Sequence, residues 1–370
     1  MVKILADAHI PYLQGVAETF GDVEYLPGNQ FSRANIRDKD ALIVRTVTRF
    51  DESILSGSRV KLICSATIGY DHIDTDYCDS HDIAWRTAPG CNANSVEQYV
   101  TASLLHLAAK YRFELAEKTI GVVGVGNVGN KVALACEKLG MKVLLNDPPR
   151  EEREGPALFT DIESIKRDAD IITFHTPLTR TGKHKTFHLV DDGFLNSLGQ
   201  KPFIINAARG EITANQPLVK ALQDQKIAGA VIDCWENEPD IDKELLALAD
   251  IATPHIAGYS ADGKWNGTKM SLENLKEFFD LKETPRYQTI PLPQEPLINL
   301  KEVAPENQLC HAVWHTYDPM PETEALKKSP GNFYWFRSHY PLRREYPAYS
   351  ILAPHPAIIP VLRDLGFNKL

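Results

Sequence analysis

Apolar residues along the first 280 positions come in short runs, and the stretches between them carry helical periodicity. Residues 1–93 predict strands at Lys3–Ala6, Asp22–Leu26, Ala41–Arg45, Lys61–Ser65 and Ile83–Arg86. Strands spaced by helical segments imply a parallel sheet with crossover helices. Asn94 or Ser95 then caps a long apolar helix running to about Arg112. A second set of strands follows at Lys142–Asn146, Ile171–His175, Pro202–Asn206, Ile227–Asp233 and Ile251–Pro254. Helices fall between them at about 160–168, 191–198, 214–225 and 242–247, which makes a second doubly wound sheet. A helical stretch from Gly263 to Asp280 would carry the chain back towards the first sheet. Prolines 285, 291, 293 and 296 mark a linker, and beyond it the chain turns aromatic, with Phe333, Tyr334, Trp335, Phe336, Tyr340, Tyr346 and Tyr349.

The run Thr119-Ile-Gly-Val-Val-Gly124-Val-Gly126-Asn127-Val128-Gly129 ends an apolar strand in Gly-x-Gly-x-x-Gly. A helix-grade segment follows, Gly140 stops it, and a buried strand leads to Asp147. In such a unit the first glycine makes the turn, the second admits a pyrophosphate, and the third lets helix pack on strand. The diphosphate sits on the helix N-terminus, and the acid takes ribose hydroxyls. The fold class is therefore α/β: a Rossmann dinucleotide domain inserted in a flavodoxin-like domain, plus a small α+β C-terminal domain. Asp147 favours NAD, since it would repel a 2′-phosphate, although Arg150 nearby could partly accommodate one.

Composition narrows the partners. At 370 residues the chain exceeds one ordinary core and implies two or three domains. A net charge of −9 argues against nucleic acid or an anionic membrane surface, so an anionic substrate must meet a local basic cluster. No apolar run approaches the ~20 residues that span a bilayer. The N-terminal apolar stretch is broken by Asp7 and reads as a strand, not a signal peptide. Six scattered cysteines with no C-x-x-C pair read as reduced thiols of a cytoplasmic protein, and no metal is expected.

Four later positions carry chemistry because each follows a predicted strand, and in open α/β sheets ligands bind outside the strands' carboxyl ends. Thr176, in Phe174-His-Thr-Pro-Leu178, is placed to meet the cofactor. Arg209, in Asn206-Ala-Ala-Arg-Gly210, can grip a carboxylate bidentately and polarise the adjacent carbonyl. Glu238, in Asp233-Cys-Trp-Glu-Asn-Glu-Pro239, and His255, in Thr253-Pro-His-Ile-Ala-Gly-Tyr259, can pair. The carboxylate would then orient the imidazole while the ring exchanges a proton with a substrate hydroxyl. Taken singly, Glu238 also reads as a solvated charge and His255 as a satisfied loop histidine. His184, His188 and His311 carry no such context.

With these residues in hand, the chain resembles the D-isomer-specific 2-hydroxyacid dehydrogenases over about residues 1–280. The contexts of Arg209, Glu238 and His255 look like that family's Arg-Glu-His set in its order and spacing. Arg45-Thr-Val-Thr48, Ala88-Pro-Gly-Cys-Asn-Ala93, Asn146-Asp-Pro-Pro-Arg150 and His255-Ile-Ala-Gly-Tyr259 look like a subgroup that oxidises a phosphorylated sugar acid. That subgroup also carries an extra C-terminal domain that serves dimerisation. The resemblance implies a substrate (lid) domain of residues 1–93 and 259–284, an NAD domain of 94–258, and a homodimer formed through 285–370. It implies cofactor contacts from Gly124, Gly126, Asn127, Val128, Gly129, Asp147, Thr176, Ala207, Ala208, Arg209, Asp233 and Gly258, with Asp233 on the nicotinamide amide. It also implies substrate contacts from Thr46, Thr67 and Tyr259. Arg45, beside Thr46, is our own candidate for the substrate phosphate. Two details depart from the subgroup: Ile68 and Tyr70 stand where smaller residues are usual, and Ala208 stands where a cysteine is common. Two other readings stay open: a related dehydrogenase acting on phosphoglycerate or glycerate, and an NAD(H)-sensing corepressor-like protein that binds partner peptides.

Overall fold

Three parallel sheets account for the apolar runs in a computed structural model that describes residues 1–368. The chain divides into two compact units, Met1–Asn92 with Ala261–Pro291, and Ala93–Ser260 with everything from Leu292 onward.

In the first unit, β1 (Val2–Asp7), β2 (Gly21–Leu26), β3 (Ala41–Val44), β4 (Leu62–Ser65) and β5 (Ala84–Arg86) pair in the order β2-β1-β3-β4-β5, parallel throughout. β3 and β4 are buried at every residue, which is why they read as continuous apolar runs rather than alternating ones. The Ala261–Phe278 helix belongs to this sheet. A Cβ added at Gly267 would stand 2.4 Å from the Ala66 carbonyl oxygen, so glycine is what permits the approach. Further along, Leu272 and Leu275 share a core with Ile4, Ile43 and Leu62.

The second unit holds β6 (Thr119–Val123), β7 (Lys142–Asn146), β8 (Ile171–Phe174), β9 (Phe203–Asn206), β10 (Gly229–Ile232) and β11 (Ile251–Ala252), again all parallel. Their order, β11-β10-β9-β8-β6-β7, reverses direction between β6 and β8, and that switch point is where doubly wound sheets bind ligands. The Ala93–Tyr111 helix covers one face, where Tyr99, Val100 and Leu104 join Ile120, Val122 and Val231 in one core. Among the described residues no helix is long and apolar enough to cross a membrane.

The segment from Leu292, which the sequence analysis places in a C-terminal domain of residues 285–370, clusters with the second unit. Its own sheet is a single parallel pair, β12 (Leu297–Asn299) with β13 (Ser350–Leu352), too thin to enclose a core. Its apolar residues, among them Ile298, Val313, Tyr346, Ile351 and Leu362, fill the same core as Ile120 and Tyr99. Polar ties fix the register: Gln98 Nε2 donates to Thr316 Oγ1 at 3.0 Å, and Trp314 Nε1 donates to the Ala102 carbonyl at 3.2 Å.

Glu97 lies on the buried side of the Ala93–Tyr111 helix and accepts from Thr101 Oγ1 at 2.8 Å. Burial, reinforced by the Glu345 carboxylate, pushes its pKa up to about 8 from an ordinary 4.5. The folded chain thus keeps a proton that the unfolded chain releases above pH 4.5, and stability drains away as pH climbs towards 8. Glu97→Gln, which is neutral at every pH, should leave Tm nearly unchanged at the acid end of that window and raise it by several degrees at the alkaline end. A gain equal at both ends in a thermal-shift series would show that Glu97 is ionised in the fold.

Candidate active site

The glycine fingerprint spans the switch point, and its three glycines meet three different surroundings. Gly124 turns the chain with φ +88°, and a Cβ there would stand 2.8 Å from the His175 carbonyl beyond β8. At Gly129 a Cβ would come 1.9 Å from the Gly124 carbonyl oxygen, so only glycine lets helix Asn127–Lys138 seat on β6. A Cβ at Gly126 would meet nothing within 4 Å, so this position faces open space. Gly126 caps that helix with no side-chain bond, and Gly126 and Asn127 are exposed, so first-turn N–H groups stand ready for an anion. Val128 packs against the core behind them.

Asp147, past β7, is fixed beside this loop. Its Oδ2 accepts from Val125 N at 2.8 Å and its Oδ1 from Arg150 N at 3.0 Å. Arg150 is committed elsewhere: Nε and Nη2 reach Glu154 at 2.8 and 2.6 Å, and Nη1 donates to the Val125 carbonyl at 2.6 Å. Thr176 lies against Gly124, and its Oγ1 is buried with no hydrogen-bond partner, a donor that a bound ligand would satisfy. Burial drives the neighbouring His175 down to about 3, so that ring is neutral. An open glycine face, exposed helix N–H groups, a fixed acid and an orphaned hydroxyl fit a dinucleotide without a 2′-phosphate.

The acid–base candidates gather at the ends of β9, β10 and β11. Asn206 shapes the first loop, accepting from Ala208 N at 3.2 Å and donating to the Arg209 carbonyl at 2.9 Å. Arg209 Nη1 bonds the Ala208 carbonyl at 2.8 Å, while Ala207 is half-buried. A Cβ on Gly210 would stand 2.0 Å from the Trp235 carbonyl, so this loop touches the next one backbone to backbone.

Asp233 is 1% exposed, and its carboxylate organises the loop that carries His255. Oδ1 accepts from Thr253 Oγ1 and from Ile256 N, both at 2.7 Å, and Oδ2 accepts from Ala257 N at 3.0 Å. His255 itself takes the left-handed conformation, φ +56°, and its N–H donates to the Asp233 carbonyl at 2.9 Å. Its Nδ1 lies 2.9 and 2.8 Å from the two oxygens of Glu238. A carboxylate can only accept, so Nδ1 carries a proton and Nε2 is the nitrogen left to exchange one. Among the described residues nothing hydrogen-bonds Nε2. Burial alone would raise the Glu238 carboxyl, but the His255 charge and hydrogen bonds from His255 and from Trp235 N, with Arg337 adding to them, hold it below the ordinary range. Trp235 braces both partners, its N–H on Glu238 Oε1 and its ring Nε1 on the Thr253 carbonyl, each at 2.9 Å. Gly258 sits in the turn closed by Tyr259 N and the Ile256 carbonyl at 2.9 Å.

The remaining candidates belong to the first unit and follow β3 and β4. Arg45 grips the buried carboxylate of Asp7 through Nε and Nη2 at 2.8 and 3.2 Å. Thr46 is exposed beside it. Thr67 Oγ1 lies 2.7 Å from Ser65 Oγ and donates to the Gly69 carbonyl at 3.2 Å. Tyr70 packs its ring 5.0 Å from that of Trp85.

Three features went unseen in the sequence. Arg337 reaches Glu238, Arg343 reaches the carbonyls of Ile256 and Ala257 at 3.4 and 3.3 Å, and His188 pairs with Glu236 at 2.5 Å. Neither arginine lies in a motif. Cys234, beside Asp233, is no nucleophile: burial first, then the Asp233 and Glu238 carboxylates, push its thiol far up.

Comparison with known proteins places the chain in a family. Residues 92–257 match the family described as D-isomer specific 2-hydroxyacid dehydrogenase, NAD binding domain. The chain is 48% identical over 352 residues to the erythronate-4-phosphate dehydrogenase of Bacteroides thetaiotaomicron, covering 95% of this chain and 99% of that one. It is 44% identical to the enzyme of the same name from Porphyromonas gingivalis, over 99% of this chain and all of that one. Among solved structures, D-lactate dehydrogenase from Aquifex aeolicus, complexed with NAD and lactic acid, shares the fold at a TM-score of 0.60 and 24% identity, over 75% of this chain and 95% of that one. NAD-bound 3-phosphoglycerate dehydrogenase from Entamoeba histolytica does so at 0.64 and 24%, over 78% and 99%. The cradle at Gly124–Gly129 and the Arg209, Glu238 and His255 set therefore sit in a chain that belongs to the erythronate-4-phosphate dehydrogenases, within the D-isomer-specific 2-hydroxyacid dehydrogenase family.

Proposed function

We propose that this chain oxidises the C2 hydroxyl of 4-phospho-D-erythronate to the ketone of 3-hydroxy-2-oxo-4-phosphobutanoate, as a cytoplasmic homodimer serving pyridoxal 5′-phosphate biosynthesis. The observation that carries the reading is the His255–Glu238 pair, with Nδ1 held by the carboxylate and Nε2 unbonded, in the same unit as the dinucleotide cradle. NAD, when bound, supplies the hydride acceptor. His255 Nε2 takes the hydroxyl proton, and Glu238 stabilises the imidazolium that results. Arg209 grips the substrate carboxylate and polarises the C2 oxygen as it becomes a carbonyl. Asp233 Oδ2 takes one backbone donor and a weak thiol contact, which leaves lone-pair capacity for the nicotinamide amide. Thr46, Thr67 and Tyr259 are assigned to the substrate. Arg45 is assigned to its phosphate, because the fork on Asp7 fixes the guanidinium while a third of the side chain stays exposed.

The homodimer reading draws on the C-terminal segment. Tyr334, Trp335 and Leu342 are 65%, 55% and 50% exposed, a concentration of large apolar groups that suits a contact with a second copy.

Four measurements test these assignments. Following NADH absorbance with erythronate 4-phosphate, His255→Ala should lower kcat by ~10²–10⁴-fold, the usual worth of a general base. Turnover of 3-phosphoglycerate well above that of erythronate 4-phosphate would sink the substrate choice. Arg45→Ala should raise KM for the phosphorylated substrate by ~10–100-fold with little change in kcat, matching one lost charge-assisted bond, and an unchanged KM removes Arg45 from the site. Replacing both Tyr334 and Trp335 by Asp should give a monomer by light scattering, and a variant that stays dimeric would move the interface elsewhere.

A further inference from the structure

We propose that Arg337, from the C-terminal segment, is a positioning residue of the catalytic pair, its guanidinium bracing the Glu238 carboxylate and the Tyr259 ring together. The inference rests on the reading of His255 as the base. Arg337 Nη1 stands 3.8 Å from Glu238 Oε2, on the carboxylate that also receives His255 Nδ1. The same guanidinium lies 5.3 Å from the centre of the Tyr259 ring, over its face. One arginine thus touches a catalytic carboxylate and a residue assigned to the substrate.

Its placement is set by the helix Phe333–Ser338. Phe333 is 1% exposed and packs in the core that holds Trp235, the residue whose N–H supports Glu238. Arg337 follows four positions later, on the same helical face one turn on, which brings it over Glu238. Farther along, Arg343 holds the carbonyls of Ile256 and Ala257, on the loop that carries His255.

Stability alone is a poor account of the residue. A 3.8 Å single contact is not the bidentate fork that arginine makes where an ion pair stabilises a fold, and its Nε is buried without a partner. An arrangement with that cost is better explained by what it does to its neighbours.

Electrostatics gives the effect a sign. The charged and titratable groups around the pair are Asp233, Glu238, Cys234, Tyr259, Arg209 and Arg337. Glu238 favours a proton on His255, and the Arg337 charge on the same carboxylate opposes that hold. Burial would weaken the Arg337 charge, but Tyr259 and Glu238 more than restore it. Arg337 therefore offsets part of the Glu238 field at His255, and packs on Tyr259 as well.

The test compares Arg337→Gln and Arg337→Lys with the wild-type enzyme, reading kcat/KM against pH, KM at the plateau, and Tm. Arg337→Gln should move the acid limb of kcat/KM upward by about one pH unit, the scale of a neighbouring-charge effect, and raise KM several-fold. Arg337→Lys should return the limb to its wild-type position while KM stays raised, because an ammonium restores the charge and not the planar contact with Tyr259. A limb that stays in place in Arg337→Gln, with activity falling only as Tm falls, would reduce the residue to a structural contact. Full turnover in His255→Ala would sink the base reading itself, whereas a His255-dependent enzyme whose limb ignores Arg337 would sink only this proposal.

Discussion

The His255–Glu238 pair on the second sheet hangs on one buried carboxylate. Asp233 gathers Thr253, Ile256 and Ala257 around its two oxygens, and so holds the ends of the loop whose middle is His255. Burial makes a charge there expensive, and the His255 charge with three hydrogen bonds offsets much of that cost, although the pKa stays raised. The compensation has a purpose. His255 sits at φ +56°, a conformation that costs a non-glycine residue ~1–3 kcal/mol and persists only when its surroundings over-determine it. Asp233 supplies that over-determination, and the strained turn aims the imidazole at Glu238. Without it, the pair 2.8 Å apart would be two loop residues with no fixed relation.

Much of this was legible in the chain because the relevant signals are local. A parallel strand buried on both faces leaves a continuous apolar run, and ligands bind beyond its carboxyl end, so Thr176, Arg209, Glu238 and His255 could be nominated by position. The glycine fingerprint was legible for the same reason, since each glycine answers a steric demand made within a few residues or one strand away. Arg337 was not legible. It meets Glu238 because Phe333 anchors its helix in the core that holds Trp235, a tertiary event with no short-range trace in sequence. The aromatic density of the C-terminal segment carried two meanings that composition cannot separate. Phe333, Tyr346 and Tyr349 are buried in the second unit's own cores, while Tyr334 and Trp335 face outward. A six-residue helix, Phe333–Ser338, shows both faces within one turn and a half.

Cofactor choice turns on what Arg150 is doing. From sequence, an arginine three residues past the ribose acid leaves room for a 2′-phosphate. In the fold that guanidinium closes on Glu154 and on the carbonyl of Val125, inside the glycine loop. Accepting a phosphate would break a bidentate ion pair and unpin the loop, on top of the repulsion from Asp147. Arg150 is thus engaged in holding the loop, and both side chains weigh against a 2′-phosphate there.

The same economy governs charge at the reacting centre. A base that must accept a proton at neutral pH needs a carboxylate to orient it, yet an unopposed carboxylate would keep it protonated and idle. Glu238 is held ionised by several donors, so its field cannot be weakened by neutralising it. Only a fixed cation can moderate that field without disturbing the hydrogen bonds to Nδ1, and a cation bonded too closely would compete for the same oxygens. Arg337 stands at 3.8 Å, near enough to act through its charge and too far to displace His255. Because that cation is carried by the C-terminal segment, whose apolar residues share a core with the second sheet, the acid–base chemistry of the dehydrogenase unit and the packing of the appended segment are one problem with one solution.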